Sequence, residues 1–329
     1  PYNNKLWYNR IDKACQILQD GETRGLPIGP DTSVVLSEMI LSKVDQELRK
    51  YNYVRFIDDF KCSCKTMEKA EEFIRDLSKA LDKFRLSINS KKTKILEYPQ
   101  AINDDWVRKL LMAIDWKTIG VKEKDKVIGF LDLSSKLFLE YPNDSAIRYA
   151  AKVLTKKPYL DYVTYKLVLR YLLNLSYLYP YIIDICDELI AIGNSSFGSH
   201  VDEIRSICEH ALEVILKEHV GHRRSDVITW SIFLAIKYQL TIPDYGKIEK
   251  LILKSQDSIS ILMSYLYKKI KGENINHYKK LVTRVNIHEW WLCVYEVSKI
   301  ENIIILDNSL EILRSNNISF LSKDIMSKI

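Results

Sequence analysis

The stretch YVRFIDDF, residues 53–60, sets two acids side by side, Asp58 and Asp59, among Phe56, Ile57 and Phe60. Carboxylates in apolar surroundings cost free energy unless they are solvated or partnered. Tyr53-Val54-Arg55-Phe56-Ile57 has the two-residue period of a strand, residues 60–65 read as its return, and Asp58-Asp59 is the expected polar turn between them. A tight turn can bring two carboxylates near one point. Hard cations such as Mg²⁺ take such oxygens, and substrate phosphates complete the shell. Two such ions can activate an attacking oxygen and steady a leaving one. A solvated hairpin loop is the plainer meaning of an Asp-Asp pair taken alone.

The flanks add context. Residues 3–20 read as a helix, followed by the loop ETRGLPIGPDTS, residues 22–33. Gly25 and Gly29 allow close backbone approach to a ligand, and Pro30 suits the first turn of a helix with Asp31, Thr32 and Ser33 near its start. Leu36, Met39, Ile40, Val44 and Leu48 continue that helix. After the hairpin, Ala70, Phe73, Ile74, Leu77, Leu81 and Phe84 form one helical stripe. LSIN (86–89) and KKTKILEY (91–98) then read as two short extended pieces. Residues 61–94 hold ten Lys or Arg against five Asp or Glu, so this part is locally positive.

In that order, the segments resemble the palm of reverse transcriptases. GLPIGPDTS (25–33) and its helix resemble motif B. YVRFIDDF resembles motif C, usually YxDD, with Phe56 where tyrosine is typical. LSINSKKTKI (86–95) resembles motif D and the adjoining strand, with Asn89, Lys92, Thr93 and Ile95 on commonly seen positions. The motif B form, with QDGET (19–23) before it, is more similar to the bacterial abortive-infection and defence-associated group than to retron or group II intron enzymes. The resemblance implies a DNA polymerase of an antiphage defence system, template-independent or protein-primed in some members. It implies Asp58 and Asp59 as ligands of Mg²⁺ (or Mn²⁺), with Lys92 near the nucleotide phosphates as a further catalytic group. It implies Gly25, Pro27, Gly29, Pro30, Ser33, Phe56 and Asn89 as the substrate-binding set, and dNTPs with DNA or RNA, or both, as partners. The family also needs a third carboxylate, from motif A. Asp12 and Asp20 lie on or at the end of the first helix and do not supply it. Either a motif A segment precedes Pro1, which is the expectation, or the polypeptide is inactive, a non-catalytic subunit whose degenerate palm and helical array bind nucleic acid or partners.

From about residue 102 helical periodicity dominates, with breaks near Gly120-Val121, Tyr141-Pro142, Lys157-Pro158, Tyr179-Pro180, Gly193-Asn194, Gly221, Pro243 and Gly272. Helices of this length with short loops suggest a bundle or a stacked helical repeat. The expected architecture is therefore a partial α+β polymerase palm over 1–98, followed by an all-α domain over 99–329, thumb-like or HEAT-like. With 47% hydrophobic residues the chain can bury a core. With 49 cations against 43 anions its net charge of +6 tolerates nucleic acid without demanding it.

The remaining candidates are weaker. Arg205 and His210 fit the loose Rx4H pattern of helical HEPN-type ribonucleases, but five residues apart on a helix they face different ways. His219 and His222 with Arg223-Arg224 read as a basic surface loop, and Trp230, Trp290 and Trp291 as core or interface anchors. Cys62 and Cys64 point to one face of a strand without a second pair to complete a zinc site. All six cysteines are expected as reduced thiols of a cytoplasmic protein. No apolar run reaches membrane-spanning length, so no membrane is expected among the partners, and a homo-oligomer is allowed.

Overall fold

The acidic stretch does form a hairpin. In the computed structural model, which describes residues 5–17, 25–26, 31–99, 104–113, 124–142, 145–156, 159, 161–285 and 287–329, β1 (Tyr53–Phe56) pairs antiparallel with β2 (Asp59–Cys62). The register is Tyr53↔Cys62, Val54↔Lys61, Arg55↔Phe60 and Phe56↔Asp59. The loop is thus Ile57-Asp58, not Asp58-Asp59. Asp59 belongs to the ladder because a two-residue loop must be closed by a facing pair. The return strand is also shorter than expected, ending at Cys62.

The period of two sorts the hairpin into faces. Tyr53, Arg55, Phe60 and Cys62 are half-buried, whereas Val54, Phe56, Asp59 and Lys61 are exposed. The inner face meets a small core built by α2 (Asp31–Glu47) and α3 (Met67–Asp82). Leu41, Val44, Leu48, Phe73, Leu77, Ala80 and Leu81 are buried there. Phe73 sits between the rings of Tyr51 and Tyr53, with centroids 5.0 and 5.7 Å away. Thr66 caps α3, its hydroxyl accepting from the Lys69 amide. The preceding helix α1 (Trp7–Ile17) buries no residue.

The two extended pieces expected at 86–98 make no ladder; the sheet among the described residues has two strands. Asn89 turns the chain instead, its carbonyl accepting from the Lys92 and Thr93 amides at 3.0 Å each. A β-prone run becomes a strand only where an edge is there to pair with it.

The chain divides into two compact units, Pro1–Ala101 and Ile102–Ile329. The second contains α4 (Asp105–Met112), α5 (Lys124–Glu140), α6 (Ala146–Thr155), α7 (Tyr162–Leu178), α8 (Ile183–Ser196), α9 (Val201–Gly221) and α10 (Ser225–Lys237). It continues with α11 (Tyr245–Ser255), α12 (Ser258–Ile270), α13 (Asn276–Val282), α14 (Ile287–Glu301), α15 (Asn308–Ser315) and α16 (Lys323–Met326). Most helices touch their neighbour or the next but one: α5 meets α6 and α7, α9 meets α7, α10 and α11, and α12 meets α10 and α14. This is the contact pattern of a stack, in which each added helix buries the open face of the last. Leu131, Leu172, Leu189, Leu212, Ile232, Leu266 and Val297 lie along its continuous core. The short α16 reaches back to α10, where the Lys328 ammonium donates to the carbonyls of Ile236 and Lys237 at 2.9 and 2.8 Å.

Helix ends fall at Tyr141, Pro180, Gly221, Pro243 and Gly272, as their residue types predict. The break expected at Gly193-Asn194 is absent, because α8 runs through it to Ser196. Gly193 serves packing: a Cβ there would stand 2.0 Å from the Tyr165 hydroxyl oxygen. The breaks expected at 120–121 and 157–158 lie outside the described residues. No helix among the described residues is long and apolar enough to cross a membrane.

Candidate active site

The hairpin tip is held from beneath by Arg55. Because Arg55 alternates onto the inner face, its guanidinium lies under the strand, with its side chain 10% exposed. Nη2 donates to Glu38 at 2.5 Å and to Asp45 at 2.6 Å, and Nε donates to both Asp45 oxygens at 3.1 and 3.0 Å. Nη1 donates to Glu38 at 2.8 Å and, also at 2.8 Å, to the carbonyl of Ile57 inside the turn. The Tyr53 hydroxyl adds a 2.6 Å bond to Asp45. One planar cation therefore ties the turn to two carboxylates about two turns apart on one face of α2, as the fork geometry of arginine permits.

The bond to Ile57 has a local purpose. Ile57 has φ +56°, a left-handed conformation that costs a β-branched residue about 1–2 kcal/mol. The Arg55 bond to its carbonyl helps hold that conformation, and with it the direction in which Asp58 and Asp59 leave the hairpin.

The electrostatics follow the contacts. The Arg55 hydrogen bond holds the Glu38 carboxyl below its ordinary value. Burial would raise Asp45, but the Arg55 and Tyr53 bonds outweigh it and the net shift is downward. Burial and the bond to Asp45 push the Tyr53 phenol up, and its two carboxylate partners raise Arg55 further. At neutral pH the two carboxylates and the guanidinium stay charged, and the Tyr53 phenol stays neutral.

Asp58 and Asp59 themselves face solvent, beside the exposed ring of Phe56. Two carboxylates open to water suit Mg²⁺, which keeps several waters and takes one or two carboxylates with substrate phosphates. No cluster of three or more His, Cys, Asp or Glu that could hold a metal is found among the described residues. Lys92 and Asn89 sit in the turn at 89–93, where Asn89 Oδ1 also accepts from the Lys91 amide at 3.1 Å; Lys92 is exposed. Gly25 has φ +73°, a conformation that glycine accepts without strain. Ser33 is buried in the first turn of α2. Pro27, Gly29 and Pro30 lie outside the described residues.

The competing candidates separate. Arg205 donates to the Gln239 carbonyl at 3.0 Å, while His210 points to solvent near Glu213; the two are not brought together. His219 is not on a surface loop. It is buried in α9 with Nε2 3.0 Å from the Tyr177 carbonyl oxygen, because the apolar stripe of α9 continues through its position. His222 and Arg224 are exposed and engage Glu218 and Asp226. Of the three tryptophans, Trp290 packs against the core, but Trp230 and Trp291 are more than a third exposed.

The clamp residues Glu38, Asp45, Tyr53 and Arg55 were not legible as a group. The available signal was Arg55 itself, a cation on the inward register of an otherwise apolar strand, which must find carboxylates to be buried there.

Residues 3–136 match the family model described as reverse transcriptase (RNA-dependent DNA polymerase). The match runs from before the hairpin through α4 into α5. No curated protein and no solved structure matches the chain.

Proposed function

We propose that this protein is a reverse transcriptase-like nucleotidyltransferase of the abortive-infection and defence-associated group, and that it extends DNA from dNTPs. Residues 1–98 form the catalytic part in this reading, and the helical region 99–329 serves as a thumb-like or HEAT-like extension. The observation that carries the proposal is the paired acids at a two-residue hairpin tip, fixed to the helix after the Gly/Pro loop by Arg55.

Asp58 and Asp59 would hold the divalent ions. The chemistry such ions would supply when bound is neutralisation of triphosphate charge and easier ionisation of the attacking hydroxyl. The protein groups position the reactants. Gly25, Pro27, Gly29 and Pro30, the motif B residues, would pack against the nucleotide and template, joined by Ser33, Phe56 and Asn89. A 3′-hydroxyl, or a tyrosine hydroxyl in the protein-primed variant, attacks the α-phosphate. The bond to pyrophosphate breaks, and Lys92 balances charge on the departing group or gives it a proton. Phe56 keeps the apolar body of a tyrosine without its hydroxyl, so it can contact a primer end only through its ring.

The test is incorporation of labelled dNTPs by the full-length protein with Mg²⁺ or Mn²⁺, compared with Asp58→Asn and Asp59→Asn. Incorporation should fall to background in each variant, with its circular dichroism and melting temperature unchanged. Wild-type incorporation in either variant removes the assignment. A folded wild type that binds nucleic acid but never incorporates dNTPs would leave a binding subunit in place of an enzyme.

A further inference from the structure

The second strand of the hairpin carries chemistry that the polymerase reading does not use. Phe60, Cys62 and Cys64 alternate onto the inner face. The sulfurs of Cys62 and Cys64 lie 3.5 Å apart, and both residues are half-buried. The other four thiols differ. Cys186, Cys208 and Cys293 are buried in the helical unit, and Cys15 is a half-buried single thiol on α1.

We propose that Cys62 and Cys64 form a modification site, a dithiol that closes reversibly into an intramolecular disulfide when exposed to a peroxide. The sulfurs need to approach by about 1.5 Å to reach bonding distance. Cys64 can supply that movement. The Ser63 amide is still held by the Asn52 carbonyl at 3.0 Å, but β2 ends at Cys62 and Cys64 lies beyond the ladder.

The roles of the two sulfurs follow from their surroundings. Burial and the neighbouring Cys64 push the Cys62 thiol up to about 11, which disfavours its thiolate, and Cys62 lies in the ladder whereas Cys64 lies beyond it, so Cys64 is assigned the first attack. The Cys64 thiolate attacks one peroxide oxygen. The O–O bond breaks, water leaves after protonation, and Cys64 becomes a sulfenic acid. The Cys62 sulfur then attacks the Cys64 sulfur, the S–O bond breaks, and the Cys62 proton leaves with that oxygen as a second water. Two thiols lose two electrons and one peroxide becomes two waters. None of this depends on nucleotidyl transfer.

The test uses the folded full-length protein treated with hydrogen peroxide, then denatured, labelled with N-ethylmaleimide and mapped by peptide mass spectrometry. Cys62 and Cys64 should lose their labels together, in a linked peptide lighter by two hydrogens. Cys186, Cys208 and Cys293 should keep theirs, and dithiothreitol should restore the lost labels. In Cys62→Ser, the Cys64 sulfenic acid should persist and be captured by dimedone. The proposal is overturned if Cys62 and Cys64 both keep their labels at a dose that oxidises Cys15. It is also overturned if wild-type Cys64 goes to sulfinic acid with no disulfide formed. The wild-type map decides even where a variant fails to fold.

Discussion

Replacing Arg55 with alanine should loosen the hairpin while leaving the helical unit intact. The magnitude comes from the Arg55–Asp45 pair, whose side chains are 10% and 31% exposed. A fully exposed pair contributes about 0–1 kcal/mol, and stripping one partner from a fully buried pair costs about 3–5 kcal/mol. Asp45 is partly wetted and keeps the Tyr53 bond, which places the loss near 2 kcal/mol on those scales. Glu38 is exposed enough to rehydrate and adds little. Because the chain has two units, a single global melt would blur the effect. Amide hydrogen exchange resolves it locally: hairpin amides should exchange about thirtyfold faster at 2 kcal/mol. Arg55→Lys should recover only part of the protection, since one ammonium cannot reach Glu38, Asp45 and the Ile57 carbonyl together. Hairpin amides that exchange at the wild-type rate would refute the clamp, as would equal acceleration throughout α7–α14.

Other perturbations follow from the same contacts. Glu38 and Asp45 are both shifted down, so their folded values lie below their unfolded ones. Their contribution is complete above the ordinary carboxylate range and is lost as pH falls through the folded values. Hairpin protection should hold from pH 8 to pH 5, and fade below about pH 4 in exchange experiments. Gly193→Ala forces a Cβ onto the Tyr165 ring and should destabilise the helical unit by about 1–3 kcal/mol in urea denaturation. Glu301 receives Lys269, Lys279 and Tyr265 at 2.8, 2.6 and 2.7 Å. Burial opposes its charge, but these bonds push it down to about 2. Glu301→Gln should cost about 2 kcal/mol and abolish the part of acid destabilisation that develops as pH falls from the ordinary value of 4.5 toward about 2.

What the sequence disclosed depended on how local the governing physics was. The hairpin was legible because a two-residue period and an acidic turn are local signals, yet the loop was displaced by one residue because the closing pair is a property of both strands. Helices after residue 102 announced themselves through apolar stripes and through Pro180, Pro243 and Gly272. Gly193 misled because a helix can carry glycine when a neighbour's side chain takes the space, and Tyr165 lies 28 positions away in sequence. The run at 91–98 has strand-like residues without a strand's partner. Asp58 and Asp59 could be singled out as a pair, whereas the carboxylates supporting them from α2 could not, since only folding brings Glu38 and Asp45 under Arg55. His219 appeared to join a basic cluster until the burial of α9 enclosed it.

The return of α16 to α10 gives the helical stack an unusual boundary condition. A stack whose helices touch only near neighbours behaves like a zipper, able to open from its end one tooth at a time. Here the ammonium of Lys328, bonded to two carbonyls at the terminus of α10, turns the final stretch into a fastened loop. For the end of the stack to fray, α16 must first leave α10.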